Sequence, residues 1–423
     1  MRAIARRKFQ VLIDGLVQRG TLVVDLPDGA RLRAGDGSGP PVHVRIDSWS
    51  TVVRLVLNPE TGVGEAFTAG HLVMIEGRVY DLLDLVFRNL GAEEVKGLSR
   101  VSRGALRMAL KVNGYNSPAR SKANVAHHYD LDGRLYALFL DSDRQYSCAY
   151  FETPGATLEE AQLAKKRHLA AKMDLRPGQR VLDIGSGWGG LALYLARVAG
   201  VSVHGVTLSE EQLAVSRDRA QAAGLTDRVQ FDLQDYRALD RRFDRIVSVG
   251  MFEHVGRQSY GEFFETAAKL LADDGVMMLH YIGRATEPFE TNGWILRNIF
   301  PGGYMPSLSE VLPVIEKAGL IVTDVEVLRL HYAETLRAWR ERFLSRRDEA
   351  VALYDERFAR MWEFYLSAAE TGFRYQGLVI HQIQLARSQT AVPLTRDYIA
   401  AAEAELRHRE ADRGLAEPKL AAE

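Results

Sequence analysis

The stretch VLDIGSGWGG, residues 181 to 190, constrains the fold more than any other part of the chain. An apolar run leads into Asp183, and Gly185, Gly187 and Gly189 follow at alternate positions. Glycines in that pattern permit a tight strand-to-helix turn and let a ligand approach the backbone closely. A lone glycine loop also occurs as a plain βα turn, so its surroundings decide its meaning. Those surroundings repeat one theme. RVLDIG, VSVHGVTL, RVQFDL, FDRIVSVG and VMMLHYIG read as buried strands. WGGLALYLARVAG, SEEQLAVSRDRAQAAG and YGEFFETAAKLLADD read as helices between them. Strand and helix alternating at this spacing predict an α/β fold with a doubly wound parallel sheet.

The rest of the chain organises around that sheet. With 423 residues, more than one core is expected. Residues 1–92 read as a smaller N-terminal α+β domain, with an amphipathic helix from Ile4 to Val17 and a hairpin turn at Asp28-Gly29. Residues 93–125 read as a basic helix and linker. There Lys96, Arg100, Arg103, Arg107 and Lys111 recur at steps of three and four, opposite Val101, Ala105, Met108 and Val112. Such a helix either rests on anionic lipid headgroups or packs its apolar face on its own protein. Residues 126–423 read as the large domain, with a mostly helical C-terminal region from about 334 to 390.

Bulk properties narrow the partners. A formal net charge of -1 provides no global field that would select nucleic acid. A single cysteine, Cys148, excludes an intramolecular disulfide framework and suits a reducing cytoplasm. The N-terminal MRAIARRKFQVLIDGLVQRG has charges in every apolar run, unlike a signal peptide. No run reaches the roughly 20 apolar residues of a transmembrane segment. A soluble, cytoplasmic protein is expected, with access to a membrane surface left open.

Three features sharpen the glycine loop. Its spacing is G-x-G-x-G, whereas a dinucleotide site uses G-x-G-x-x-G. The next strand ends in VTLSEEQ, which places Thr207, Ser209 and Gln212 where a dinucleotide site wants an acid for the ribose. The third strand ends in Gln234, Asp235 and Tyr236, an acid and an aromatic suited to hydrogen-bond and stack an adenine. The set resembles the S-adenosylmethionine (SAM) site of Rossmann-like class I methyltransferases.

Longer segments carry a closer resemblance. HHYDLDGRLYALFLDSDRQYSCAYF, VLDIGSGWGGLALYLA, GVTLSEEQ, VGMFEHVG, LHYIG, FPGGYMPS and LRLHYAETLRAWRERF together resemble the cyclopropane-fatty-acyl-phospholipid synthases and their mycolic acid relatives. The N-terminal block, with GVGEAF, is similar to the extra domain of the bacterial phospholipid enzymes. The resemblance implies methylene transfer from SAM to the double bond of unsaturated acyl chains in membrane phospholipids. In that chemistry the alkene attacks the S-methyl group, a cation forms on the chain, and loss of a proton closes the ring. The resemblance implies a bound bicarbonate as the base, contacted at Cys148, Glu253, His280, Ile282 and Tyr332. Of these, Ile282 would offer only backbone, and Cys148 mainly backbone.

It further implies that Tyr146 and Ser147 face SAM, that HYD at 128 to 130 lies near the site, and that the protein is a homodimer on the inner membrane. NGWILRNIFPGGYMPS either lines an acyl channel or is ordinary loop packing. His254 is assigned no role and reads as a solvated neighbour of Glu253. No metal is expected, because no C-x-x-C or H-E-x-x-H spacing occurs around Cys148, Glu253 and His280. Two alternatives stay open: C-methylation of the acyl chain without ring closure, and a non-catalytic lipid-binding module on a retained fold.

Overall fold

A computed structural model describes residues 2–90 and 133–415. The basic stripe from Lys96 to Lys111 and the HYD segment at 128 to 130 lie outside the described residues. The described chain divides into two compact units.

The first unit contains residues 2–90, Glu290–Pro301 and Ala333–Leu378. Its four-stranded sheet has the order β2-β1-β3-β4, with β1 at Thr21–Asp25, β2 at Arg31–Ala34, β3 at Pro41–Ile46 and β4 at Leu72–Glu76. β1 and β2 pair antiparallel around the expected Asp28-Gly29 turn, where Gly29 takes a φ of 80°. Helix Arg2–Leu16 buries Phe9 and Ile13, the inward stripe of the expected amphipathic helix. Within this unit Gly64 has no room for a side chain. A Cβ there would lie 2.8 Å from ring atoms of both Phe364 and Trp294.

The second unit holds a seven-stranded sheet of order β10-β11-β9-β8-β5-β6-β7. The strands are β5 (Arg180–Ile184), β6 (Ser202–Thr207), β7 (Val229–Leu233), β8 (Phe243–Val249), β9 (Leu271–Arg284), β10 (Ile321–Leu328) and β11 (Leu378–Ala386). β9 to β7 run parallel, as the alternation of strand and helix predicts. β10 and β11 pair antiparallel, so the sheet is mixed at that edge. β11 also lies inside the C-terminal region expected to be helical. Helices His331–Ser345, Arg347–Leu353 and Glu356–Tyr375 fill most of that region, but LVIHQIQLA is β-rich and buried along nearly its whole length.

Both faces of the sheet are covered. Val181, Val203, Val247 and Met278 point into one core, with helices Leu158–Lys172, Gly190–Tyr194 and Asp397–Asp412. Their neighbours Leu182, Val206, Ile246 and Met277 point into the other, with helices Tyr260–Leu270 and Leu308–Lys317. Successive residues of a strand face opposite sides, so a strand buried on both must be apolar throughout. This explains why these strands read as continuous apolar runs. β5 sits where strand order reverses, with β6 on one side and β8 on the other. Ligands of such sheets bind at the carboxyl ends of the strands flanking that point.

Candidate active site

A cleft opens at that position in the second unit. Its walls come from the carboxyl ends of β5, β6 and β8, the turn after β7, and the loop at Arg144–Ser147. Of the residues expected to contact SAM, it is lined by Tyr146, Ser147, Asp183, Gly185, Gly187, Thr207, Gln212, Gln234, Asp235 and Tyr236. Gly189 and Ser209 stand behind this lining. Gly189 precedes helix Gly190–Tyr194 with a φ of 80°, and a Cβ there would meet Phe231 Cζ at 2.7 Å. Ser209 caps helix Glu210–Ala222, its Oγ accepting from the Gln212 backbone N–H at 3.3 Å.

Each wall has a physical cause. Gly185, Gly187 and Gly189 all take positive φ, which a side chain would strain, and this folds the loop tightly over the end of β5. The backbone N–H groups of Gly185 and Ser186 both donate to Val206 O at 3.0 Å and fasten the turn to β6. The Thr207 hydroxyl donates to Gln212 Oε1 at 2.9 Å. Asp235 differs from a free acid: Arg237 donates to its carboxylate through its backbone N–H at 3.0 Å and its Nη2 at 2.6 Å. Burial raises the Asp183 carboxyl to about 7, against a lowering pull from Lys165.

The loop carrying Tyr146, Ser147 and Cys148 is clamped from behind by helix Leu158–Lys172. Gln162 Nε2 donates to the carbonyls of Gln145 and Ser147 at 3.3 and 2.9 Å. Lys165 Nζ donates to Gln145 Oε1 at 2.7 Å and Ser147 Oγ at 2.8 Å. Lys165 is fully buried, and burial lowers it to about 8 despite the nearby Asp141. Cys148 lies within its electrostatic reach. The fold brings this basic neighbour to Cys148 from 17 positions away in the sequence. The Cys148 thiol is buried and donates to Ala149 O at 3.2 Å.

The five residues expected at the base site are not in the cleft lining, and several sit directly behind it. β8 stops at Val249, and Glu253 lies just beyond it in the short turn Phe252–His254. Its Oε1 accepts from the Ile282 backbone N–H at 2.6 Å. The Ile282 amide is therefore engaged by Glu253. Glu253 Oε2 is buried with no hydrogen-bond partner among the described residues. Burial raises this carboxyl to about 7, with the Ile282 hydrogen bond opposing.

His280 lies inside the long β9. Its carbonyl accepts from the N–H of Gly250, a cleft residue, at 2.9 Å. Its Nε2 is buried and without a partner among the described residues. Burial, then the positive charges of Lys165 and Lys172, hold it well below the ordinary imidazole range. Tyr332 is buried in the first turn of helix His331–Ser345. The adjacent His331 accepts from Phe151 N–H at 3.0 Å and stacks on Tyr150, which ties this turn to the segment after Cys148.

Several lining residues lie in the segments that carry the family resemblance but were given no role there. Arg144, Trp188, Leu208 and Met251 line the cleft through loop geometry alone. His254 is a correction. It is half-buried in the cleft wall, and burial lowers it to about 4, so it is not a solvated bystander. No group of three or more His, Cys, Asp or Glu among the described residues is arranged to hold a metal ion.

A sequence model described as mycolic acid cyclopropane synthetase matches residues 116–383. The cyclopropane-fatty-acyl-phospholipid synthase of Escherichia coli K12 is 37% identical over 84% of this chain and 91% of its own. A probable fatty acid methyltransferase of Pseudomonas putida is 42% identical over 61% of this chain and 68% of its own. The structure of mycolic acid cyclopropane synthase CmaA1 complexed with SAH and CTAB superposes with a TM-score of 0.60 at 36% identity. It covers 62% of this chain and 97% of that one. The sheet order, the cleft at its reversal point and these likenesses agree on one assignment: the chain is an enzyme of the cyclopropane synthase family, on the class I SAM-dependent methyltransferase fold.

Proposed function

We propose that this enzyme transfers a methylene group from SAM to the double bond of unsaturated acyl chains in membrane phospholipids, with bicarbonate as the general base. The observation that carries this reading is a pair of buried, unpartnered polar atoms, Glu253 Oε2 and His280 Nε2, close behind the glycine-loop cleft. SAM bound in the cleft supplies an electrophilic methyl group. Gly185 and Gly187 admit it close to the backbone, and Tyr146 and Ser147 close one side. Methyl transfer to an alkene leaves a cation on the acyl chain, and loss of one proton from the new methyl closes the three-membered ring.

A strongly nucleophilic side chain near that cation would trap it. Glu253 and His280 stand behind the cleft lining instead of in it. The carboxyl is partly protonated near neutral pH and the imidazole is uncharged. Both are suited to hold a small anion such as bicarbonate, which would supply the base. Cys148 and Tyr332 complete the expected contacts, with Ile282 fixing Glu253 through its backbone. On this reading residues 1–92 and the basic segment at 93–125 approach the lipid, and residues 126–423 carry the chemistry. The enzyme works as a homodimer, peripheral to the inner membrane. Among the described residues no helix is long and apolar enough to cross a membrane.

A second reading, methylation of the acyl chain without ring closure, draws support from the fatty acid methyltransferase name of the Pseudomonas putida relative. Both readings require turnover, unlike a non-catalytic lipid-binding module. Release of S-adenosylhomocysteine with vesicles of unsaturated phospholipid tests this, with and without bicarbonate. Turnover is expected to rise with bicarbonate. Cys148→Ser should keep activity within about tenfold, and Glu253→Ala and His280→Ala should lose at least about a hundredfold. Turnover indifferent to bicarbonate, or Cys148→Ser as inactive as the other two, contradicts the proposed base site.

A further inference from the structure

We propose that Lys172 and Gln382 act as positioning residues that fix His280 as the Nε2–H tautomer, making it a hydrogen-bond donor to the anion beside Glu253. The inference rests on the base site proposed above, and extends it to two residues that line no part of the cleft. His280 is 1% exposed, and with its basicity so reduced it is a neutral imidazole. A neutral imidazole has one N–H, and the group facing its other nitrogen decides where that proton sits.

That group is Gln382, from β11 next to β9 in the sheet. Gln382 is fully buried, and its Nε2 lies 3.2 Å from His280 Nδ1. An amide nitrogen only donates, so Nδ1 accepts and the proton resides on Nε2. The amide cannot turn over, because Lys172 Nζ donates to Gln382 Oε1 at 2.9 Å. Turning it would set the amide NH2 against the amine donor and a carbonyl oxygen against Nδ1.

Lys172 is itself fully buried and anchored on Glu326. Burial pushes the Glu326 carboxyl up, but the hydrogen bonds from His168 and Lys172 outweigh it and hold Glu326 at about 2. His168 finishes the relay, with Nε2 on Glu326 at 2.7 Å and Nδ1 on Glu403 at 2.5 Å. One polar chain thus runs Glu403–His168–Glu326–Lys172–Gln382–His280 and ends on the Nε2 that has no partner among the described residues.

The tautomer is directly readable by 15N NMR of the histidine-labelled full chain, without substrate or bicarbonate, with His280→Asn identifying the signal. The wild-type protein should show His280 protonated on Nε2. Gln382→Glu replaces the donor by an acceptor and should move the proton to Nδ1. It should also lower kcat about 10- to 100-fold and raise the half-saturating bicarbonate about tenfold, with the KM for SAM within about twofold. Gln382→Leu should lose the tautomer preference.

An Nδ1–H signal assigned to His280 in the wild-type protein overturns the inference, whatever the Gln382 variants do. So does a Gln382→Glu protein whose tautomer moves while kcat and bicarbonate dependence stay put. If wild-type turnover ignores bicarbonate, the anion reading fails by itself, and the tautomer measurement still decides the role of Gln382.

Discussion

Asp183 and Glu253 are carboxyls that burial raises to about 7, one near the end of β5 and one just past β8. Neither can be explained by stability. A carboxyl that binds its proton more tightly when folded costs stability as pH rises from its unfolded value toward 7, and that loss persists above 7. For Glu253 the displacement from 4.5 to about 7 corresponds to on the order of 3 kcal/mol. Glu253→Gln keeps an oxygen for the Ile282 N–H and removes the titration. The variant should therefore be more stable than wild type at pH 8, with the advantage shrinking toward pH 5. Urea denaturation at both pH values measures it, and a constant difference would mean that Glu253 does not titrate in this range. A group retained at such a cost is a candidate for function.

At the scale of the element, helix Leu158–Lys172 holds the site in place. Thr157 and Glu160 form a capping box that starts it, and along its length Gln162, Lys165, His168 and Lys172 turn into the protein. Lys165→Met removes the two side-chain bonds to the loop at 145–147 and an interior cation. The expected result is a KM for SAM raised about tenfold, the loss of one or two hydrogen bonds at about 1 kcal/mol each. Unchanged affinity in a titration with S-adenosylhomocysteine would show that the loop holds its shape without the clamp.

This helix was illegible in the sequence for a physical reason: AQLAKKRH has the composition of a solvated surface, and only the tertiary fold reveals that its charges are paired inside. Gln382 was hidden in the same way, inside a segment read as helical. The parallel strands were legible because burial on both faces leaves an unbroken apolar run. The glycine loop was legible because positive φ selects glycine. The partners of Glu253 and His280 come from β9 and β11, and no local spacing could have joined them.

At the scale of the whole molecule, the family likeness covers both the fold and the order of the motifs. Ten of the residues expected to contact SAM, from Tyr146 to Tyr236, line one cleft. What the fold adds is depth. Behind the cleft stands a layer of buried polar groups, with Lys165, Gln162, Lys172 and Gln382 holding the groups expected to meet the reaction. Cyclopropanation and simple methylation share the first chemical step and diverge only at the fate of the cation, so on the proposed base site the arrangement around Glu253 and His280 carries the choice between them. Gas chromatography with mass spectrometry of the fatty acids from cells expressing the protein reads that choice directly. The account predicts cyclopropane fatty acids in the phospholipid fraction, lost on Glu253→Ala. A methyl-branched or methylene product with no cyclopropane would contradict it.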